Sequence, residues 1–305
     1  TGLTRINAGT LIVNGTAAGS SHSVSAGAGL MGAGTVGELI VDGSVNPGGT
    51  LDVPGKLTVN GDLSLSVGGA YRWEITNLTG TAGVNWDLID VSGRIMANAS
   101  SDDPFTIRVA GNPAGFNPTI PYSWTIATAP AGSIANFSAN RFVVDSSDFV
   151  PSPGAGSFGV EDVDGSLVLR FMIPVISVLG TDGSTITNGE AASYDKGSDF
   201  GDVALNQSAA HTFTVTNTGG APFTVANVAI GGAQAADFTV TAQVTSPVAV
   251  AGTTTFTVTF TPTNLSTYAA TVYLTNSIPA SSPYIFHLAG TGIIEPPTDV
   301  QVWAD

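Results

Sequence analysis

Three carboxylates are the first candidates for chemistry in this chain. Glu74 lies between apolar residues in the segment YRWEI, and Asp87 and Asp90 flank a short apolar run. Two carboxyl groups roughly 5–9.5 Å apart can cleave a glycosidic bond, one as the acid and the other as base or nucleophile. Such acids usually line a groove across many rungs of a β-helix, and few rungs are available here. We therefore predict that the chain is not an enzyme, with a glycan-binding or polysaccharide-cleaving β-helix module as the alternative.

Aromatic side chains near these acids suggest a second kind of chemistry. Tyr71, Trp73 and Trp86 could stack on sugar rings if their faces were exposed. Large aromatic residues also provide the apolar volume that closes the end of a β-structure, and we favour this second role. Four further aromatic residues suit it as well: Phe105, Phe116, Trp124 and Phe137.

Two overlapping motifs, GAGLMG at 27–32 and GAGTVG at 32–37, satisfy the pattern Gly-x-Gly-x-x-Gly. A dinucleotide site also needs a strand before the motif, a helix after it and an acidic residue about 20 positions later. No segment of the chain shows a helical hydrophobic period. We interpret the glycines as corners between strands, and we predict no cofactor.

Three histidines and two acidic loops complete the set of polar candidates. His22 lies in a Ser/Gly-rich segment that we interpret as a turn, while His211 and His287 lie in alternating strands. None has a plausible nucleophile or metal partner nearby in the sequence, so we expect surface or strand-face roles.

Calcium is the metal that the acidic loops could hold. EDVDGS at 161–166 and DKGSDFGD at 195–202 gather acids near glycines, and Ca²⁺ takes several oxygen ligands. The candidate ligands are Asp195, Asp199 and Asp202. Neither loop has EF-hand spacing, so we favour solvated turns and predict no metal site.

The composition excludes several classes of function. The chain carries 23 acidic and 8 basic residues, a net charge of −15, and would be repelled by nucleic acids and anionic lipids. It has no cysteine, which excludes disulfides, zinc–thiolate sites and thiol nucleophiles. Its most apolar stretch, 171–180, is broken by Pro174 and has about half the ~20 residues that a membrane-spanning helix needs. We predict no nucleic-acid partner and no membrane insertion.

A seven-residue phrase indicates the architecture of the first hundred residues. It reads GTLIVNG at 9–15, GELIVDG at 37–43 and GKLTVNG at 55–61. Its Leu and Val lie two apart and face one side of a strand, and the Asn-Gly or Asp-Gly that follows turns the chain. The spacing of the copies suits one coil of a parallel β-solenoid. We predict two internal ladders, one of Leu11, Leu39 and Leu57 and the other of Val13, Val41 and Val59.

These phrases, together with PGKLTVNGDLSLSVGGAYRWEI and NWDLIDVSG, resemble the autotransporter-associated β-strand repeat. That resemblance implies a β-helical passenger of a large bacterial surface protein. The similarity continues through PFTIRVAG, YSWTIATAPAGSIANF and GSLVLRF, a region that closes such arrays. We expect a β-rich cap there, because the last rung of a solenoid exposes an unpaired edge.

From Pro174 onward the pattern changes to period-two alternation, as in HTFTVTN and TTFTVTFTPT. Short alternating strands between turns predict an antiparallel, immunoglobulin-like β-sandwich. The segment ITNGEAASYDKGSDFGDVALNQSAAHTFTVTNTG and the closing PYIFHLAGTG are similar to the choice-of-anchor-D, Hydin-like immunoglobulin-fold domain. The resemblance implies a non-catalytic module of large exported or scaffold proteins.

Together these observations predict an all-β chain: a short parallel β-solenoid at 1–98, a β-rich cap at 99–173, an antiparallel immunoglobulin-like β-sandwich at 174–293, and a tail or the first strand of a further module at 294–305. We expect a structural or adhesive protein of a bacterial cell surface, outside the cell. It would be either part of a long stalk or a subunit that self-associates into fibres, with a glycan or surface ligand as a possible partner.

The tail is the predicted subunit contact. It has alternating Val300 and Val302 after Pro296 and Pro297, and it could add as a strand to a neighbouring copy, with Ile294 at its start.

Overall fold

A computed structural model of the protein describes residues 2–295, and the predicted all-β fold class is confirmed. The chain divides into two compact units, Thr1–Met172 and Ile173–Asp305. Within residues 2–295 the only helical segments are three short 3₁₀ turns: Ala139–Arg141, Ala235–Asp237 and Pro279–Ser281. No helix in this range has the length and apolar character to cross a membrane.

The first unit is a parallel β-solenoid. The strands of its first three coils are β1 (Leu3–Ile6), β2 (Thr10–Ile12), β3 (Thr16–Ala17), β4 (Ser21–Val24), β5 (Gly29–Met31), β6 (Thr35–Val36), β7 (Leu39–Val41), β8 (Ser44–Asn46) and β9 (Lys56–Val59). The following coils contain β10 (Leu63–Leu65), β11 (Ala70–Ile75), β12 (Leu88–Val91), β13 (Ile95–Ala97), β14 (Phe105–Gly111), β15 (Tyr122–Thr128), β16 (Ile134–Ala135) and β17 (Phe142–Phe149). The first strand of every coil joins sheet A, the second joins sheet B and the third joins sheet C.

Inward side chains stack from coil to coil. Leu39 pairs with His22 on one side and Leu63 on the other, and Val41 lies two positions further along the same strand, on the same face. Leu39 and Val41 are fully buried, whereas Glu38 is exposed. The alternation predicted for this strand is therefore confirmed.

The predicted ladders were wrong. Leu11 lies in sheet B beside Leu30, Leu39 lies in sheet A, and Leu57 lies in sheet C beside Ile89. The corresponding valines, Val13, Val41 and Val59, are likewise spread over the three sides of the solenoid. The seven-residue motif forms one strand followed by one corner, and each coil of the solenoid contains three strands and three corners. Its copies therefore mark different sides of the solenoid instead of successive coils.

The interpretation of His22 as a turn residue was also wrong. His22 lies in β4, only 3% exposed, in the inward ladder between Thr4 and Leu39. Its Ser and Gly neighbours suggested a loop, but a solenoid strand of four residues is too short to show clear alternation.

Parallel pairing continues past residue 98. β14 pairs in parallel with β11 on one side and with β17 on the other. Among the described residues of this unit, antiparallel pairing of strands is confined to β18 (Ser157–Val163) and β19 (Ser166–Met172), a hairpin that pairs onto β15. Most of the segment expected to form a cap therefore extends the solenoid, and the hairpin closes sheet C.

The second unit is an immunoglobulin-like β-sandwich. Its strands are β20 (Ile176–Leu179), β21 (Thr185–Ile186), β22 (Asp199–Ala204), β23 (Ala209–Asn217), β24 (Val225–Gly231), β25 (Phe238–Ala242), β26 (Thr253–Phe260), β27 (Thr267–Asn276) and β28 (Tyr284–Ile293). One sheet has the order β21-β20-β23-β26-β25, and the other has the order β22-β28-β27-β24. All pairings are antiparallel except β22 with β28. Phe213, Phe256 and Phe286 are fully buried between the sheets.

Candidate functional site

An ionic cluster around Arg72 lies on the outer face of sheet B. Arg72 is in β11, where Tyr71 and Trp73 face inward, so its own side chain faces outward. Its guanidinium donates to Glu74 Oε1 at 2.8 Å and to Asp148 Oδ2 at 2.8 Å, and it reaches Asp52 Oδ1 at 3.4 Å. The three carboxylates come from β11, from β17 and from the loop between β8 and β9. The cluster thus joins elements that lie far apart in the sequence.

Glu74 and Asn46 are the most buried polar members of this cluster. Glu74 is 1% exposed and Asn46 is 5% exposed. Asn46 Nδ2 donates to Glu74 Oε1 at 3.4 Å. Glu74 Oε2 and Asn46 Oδ1 are buried without a hydrogen-bond partner among the described residues. Most buried polar atoms in proteins are paired, so these two acceptors require an explanation.

Asp87 has a structural position behind the same strand. Its Oδ1 accepts the Gly55 N–H at 2.7 Å, and its Oδ2 accepts the Glu74 N–H at 3.0 Å. Burial raises the pKa of the Asp87 carboxyl group to about 9, against the lowering effect of these backbone donors. Both oxygens bind the backbone, so Asp87 fastens the end of the 47–55 loop to β11.

Asp90 lies on a different side of the solenoid. It is in β12 of sheet C, where it pairs with Lys56 at 3.2 Å and accepts a hydrogen bond from Thr128 Oγ1 at 3.1 Å. The three acids considered as catalytic candidates therefore occupy separate positions: Glu74 on sheet B, Asp87 at a buried corner and Asp90 on sheet C.

A depression of about 350 Å³ lies beside the Arg72 cluster. Its lining includes the three carboxylates of the cluster and the polar side chains of Thr76 and Asn112. Most polar side chains that line the depression accept hydrogen bonds, and the net charge of the lining is negative. Only Glu74 could be picked out of the sequence as a member of this site, because Asp52 and Asp148 approach Arg72 only through the coiling of the chain.

The aromatic residues near the acids are buried. Tyr71 and Trp73 are almost fully inaccessible and Trp86 is 9% exposed, so their rings are not available to stack on a sugar. Burial raises the pKa of the Tyr71 hydroxyl well above its usual value, and that hydroxyl donates to the Ile126 carbonyl at 3.1 Å. Trp73 and Trp124 lie 5.6 Å apart, centroid to centroid, inside the solenoid.

Most glycines of the two motifs lie at corners, as predicted, whereas Gly29 begins strand β5. Gly32 has a φ of +121°, and a Cβ atom there would lie 2.1 Å from the Val13 carbonyl oxygen. The corner therefore requires glycine for its backbone conformation and for the close approach of the neighbouring coil.

The remaining histidines and acidic loops occupy structural positions. His211 stacks on Phe200 with centroids 4.3 Å apart, and its Nδ1 lies 2.6 Å from the Gly197 carbonyl oxygen. His287 contacts Thr271 Oγ1. In the 195–202 loop, Asp199 Oδ1 accepts the Gly201 N–H at 2.9 Å. Across residues 2–295 no group of three or more histidines or carboxylates is arranged to hold a metal ion.

The two ends of the solenoid differ. At one end, β1, β2 and β3 are the terminal strands of sheets A, B and C. We call these three strands the first-coil edge. Thr4 is exposed and Leu11 is partly exposed, although both occupy inward-facing ladder positions.

At the other end, an aromatic cluster packs beside the β18–β19 hairpin. Phe116 contacts Tyr122 and Phe171 at centroid distances of 5.2 and 5.0 Å, and Phe158 contacts Phe171 at 5.1 Å. Of the aromatic residues expected to form a cap, Phe116 belongs to this cluster and Trp124 stacks on its Tyr122, whereas Trp73 lies inside the solenoid.

The predicted subunit contact can be placed only in part. Val300 and Val302 lie outside the described residues. Ile294 follows β28 and is 71% exposed. Its proposed role as a subunit contact stays a prediction.

Comparison with known proteins identifies the fold of the second unit. Residues 193–291 match the family model described as HYDIN/CFA65/VesB-like, Ig-like domain. The Hydin-like part of the resemblance is confirmed, and the autotransporter-repeat part stays a prediction. No curated protein matches the chain.

Three solved structures illustrate how distant the structural similarities are. A protein of unknown function from Porphyromonas gingivalis W83 is 11% identical, covering 47% of this chain and 82% of its own, with a TM-score of 0.27. The ASH/PapD-like domain 7 of human CEP192 is 10% identical, covering 40% and 87%, with a TM-score of 0.26. The CARDB domain of the PF1109 protein from Pyrococcus furiosus, solved with di-metal ions, is 17% identical, covering 40% and 96%, with a TM-score of 0.25.

Proposed function

We propose that this is a non-catalytic structural or adhesive protein of a bacterial surface, located outside the cell, whose solenoid is extended by pairing at the first-coil edge. The observation that carries the proposal is the difference between the two solenoid ends. One end carries a hairpin on sheet C and an aromatic cluster, with β16 and β17 as the terminal strands of sheets A and B, whereas the other end leaves inward-facing ladder positions of β1, β2 and β3 uncovered.

Backbone chemistry supports pairing at the first-coil edge. A terminal strand presents N–H and C=O groups that have no ladder partner, and such a strand is a template for another strand. Leu11 and Ala17 are only partly covered, although their ladder neighbours Leu30 and Val36 are fully buried. A further coil placed on this edge would bury these side chains and pair the backbone groups.

Charge also favours this edge as a contact. Arg5 is the only charged residue within 2–20, in a chain whose net charge is −15. Two copies that approach through this edge therefore avoid most of the repulsion that the rest of the molecule would produce. Pairing of one first-coil edge with another joins two copies, and a fibre also needs a second contact, for which the predicted tail at 294–305 is the candidate. In a stalk, the added coil comes from a longer chain.

Sedimentation velocity and negative-stain electron microscopy over a range of concentrations test self-association. Thr4→Lys places an ammonium group in an exposed inward-facing ladder position, and Thr16→Lys places the same group on the outer face of the same coil. We expect concentration-dependent oligomers or fibres of the unaltered chain and of Thr16→Lys, and their loss in Thr4→Lys. A chain that stays monomeric at every concentration contradicts the fibre form, as does equal assembly of both variants.

Two further experiments separate the alternatives. Deletion of 294–305 tests the donated strand: loss of assembly with both units folded assigns the contact to the tail. A turnover assay on neutral and acidic polysaccharides tests the non-catalytic assignment. Measurable cleavage that disappears in Glu74→Gln would replace the structural role with an enzymatic one.

A further inference from the structure

We propose that residues 243–248 of the second unit block the edge of β24 and prevent a strand of another copy from pairing there. We call this segment the edge guard. Among the described residues, β24 is the terminal strand of the sheet with the order β22-β28-β27-β24. The proposal concerns the second unit alone and does not depend on how the solenoid assembles.

β24 has the composition of an edge that needs protection. Its sequence, VANVAIG, contains no charged residue and no proline. Charged side chains and prolines are two of the means by which proteins keep a terminal strand from pairing with another chain. An uncharged edge strand without them is a template for strand addition, so the protection of β24 must come from another part of the chain.

The edge guard follows β24 in antiparallel register. Phe223, two positions before β24, forms an antiparallel bridge with Val248, and the two N–H···O=C distances are 3.2 and 2.8 Å. Two positions further along β24, the Val225 N–H donates to Ser246 Oγ at 3.0 Å. A step forward along one segment thus matches an equal step backward along the other, as it does between antiparallel strands.

Gln243 offers both an acceptor and a donor to the same edge. Its Oε1 accepts the Val228 N–H at 3.0 Å, and its Nε2 donates to the Val228 carbonyl oxygen at 2.9 Å. A residue of an added antiparallel strand would make this same pair of bonds with its backbone. Gln243 lies three positions before Ser246, and Val228 lies three positions after Val225, so the register is kept.

The edge guard occupies β24 without providing a new regular edge. At two of the three residue pairs it uses the side chains of Gln243 and Ser246 instead of its backbone. Pro247 has no N–H to offer to a further strand. Gln243 and Ser246 are exposed, so their contacts lie at the surface where another strand would arrive. The edge guard therefore satisfies the free groups of β24 and ends the sheet.

Amide hydrogen exchange tests the contact itself. We expect the Val228 N–H to exchange about tenfold faster in Gln243→Ala, because the loss of one hydrogen bond corresponds to about this factor. Gln207→Ala is the matched control, since it removes the same side chain from an exposed position outside the edge guard. Equal exchange of Val228 in the two variants would show that Gln243 does not occupy the edge, and would overturn the proposal.

A spin label on β24 tests the protection. The chain has no cysteine, so Ala229→Cys, at an exposed position of β24, provides a single attachment site. Pairing of two β24 edges brings two labels together and broadens the spectrum. We expect broadening that grows with concentration when Gln243→Ala is added to the labelled chain, and none when Gln243 is present. Spectra of the Gln243→Ala chain that stay sharp at every concentration overturn the proposal.

Gln243→Lys separates an open edge from a weakened fold. Lysine also removes the amide bonds to Val228, but its charge opposes strand addition. We expect faster exchange of Val228 in this variant without broadening of the label on β24. Equal broadening in Gln243→Lys and Gln243→Ala assigns the association to a loss of fold and overturns the proposal. If Gln243→Ala does not fold, Ser246→Ala carries the same test through the bond at Val225, and a sharp spectrum then overturns the proposal.

Discussion

The carboxyl group of Asp87 shows how a buried acid can serve structure instead of catalysis. Both of its oxygens accept backbone hydrogen bonds, and they hold the 47–55 loop against β11. The same carboxyl group is fully buried, and burial raises its pKa to about 9. A pKa raised to about 9 predicts that Asp87 is protonated in the folded protein at neutral pH, whereas in the unfolded chain it ionises near pH 4.

This difference predicts the pH dependence of the first unit. Between about pH 4 and pH 9 the folded state binds one more proton at Asp87 than the unfolded state does, so the free energy of unfolding should fall as pH rises through this window. The contribution is at most about 1.4 kcal/mol per pH unit. Asp87→Asn should remove this slope, at a cost of about 1–3 kcal/mol at low pH because one backbone N–H loses its acceptor.

Denaturant titrations at several pH values measure this effect. Fluorescence of the buried Trp73, Trp86 and Trp124 reports on the first unit. If the free energy of unfolding changes with pH by the same amount in the unaltered protein and in Asp87→Asn, Asp87 is ionised in the folded state.

A second residue-scale prediction concerns the solenoid interior. Leu39→Asp places an unpaired charge in the ladder between His22 and Leu63, and we expect a loss of more than about 4 kcal/mol, enough to unfold the first unit. Ile40→Asp is the control, because its side chain faces outward and its substitution should cost about 1 kcal/mol. Circular dichroism and tryptophan fluorescence measure both. Equal stability of the two variants would contradict the inward placement of Leu39.

At the scale of elements, the corners determine how closely the coils approach. Gly32→Ala should strongly destabilise the first unit, because its Cβ would meet the Val13 carbonyl oxygen at 2.1 Å. Gly27→Ala is a matched control: its φ is +81°, but no atom lies within 4 Å of the added Cβ. The control should lose only about 1–2 kcal/mol from backbone strain. Thermal unfolding measures the stability of both variants. Equal losses of stability would show that the close approach of the Val13 carbonyl to Gly32 does not affect stability.

The sequence predicts elements better than it predicts their neighbours. Alternation in GELIVDG correctly places Leu39 and Val41 inward, because side-chain direction in a strand is a local property. Ladder partners depend on coil length, which increases along the solenoid: the partners in one column are His22, Leu39, Leu63, Ile95 and Ile134. No local pattern encodes that increase, and the predicted ladders were wrong for this reason.

The candidate site was hidden for a related reason. Glu74 is distinctive in the sequence as an acid among apolar residues, but its partner Asn46 and the neighbouring Asp148 come from other coils, and Asp87 lies 13 positions further along the same coil. Arg72 and Asp148 lie 76 positions apart. Only the folded solenoid brings these groups together, so the sequence could indicate one member of the site but not the site itself.

At the scale of the whole molecule, two β units of different construction occur in one chain. The second unit matches an immunoglobulin-like family over 193–291, and its core of Phe213, Phe256 and Phe286 is closed within one sandwich. The first unit has a hairpin and an aromatic cluster at one end, and inward-facing ladder positions that are left uncovered at the other. We infer that the capacity for assembly lies mainly in the first unit.

The most direct test of this account is hydrogen–deuterium exchange measured at low and high protein concentration. If the first-coil edge pairs with a strand of another copy, amides of Leu3–Ile6 and Thr10–Ile12 should exchange more slowly at high concentration. Amides of the capped β18–β19 hairpin should exchange at the same rate at both concentrations. Exchange at the first-coil edge that is independent of concentration, in samples that reach fibre-forming conditions, would contradict the account.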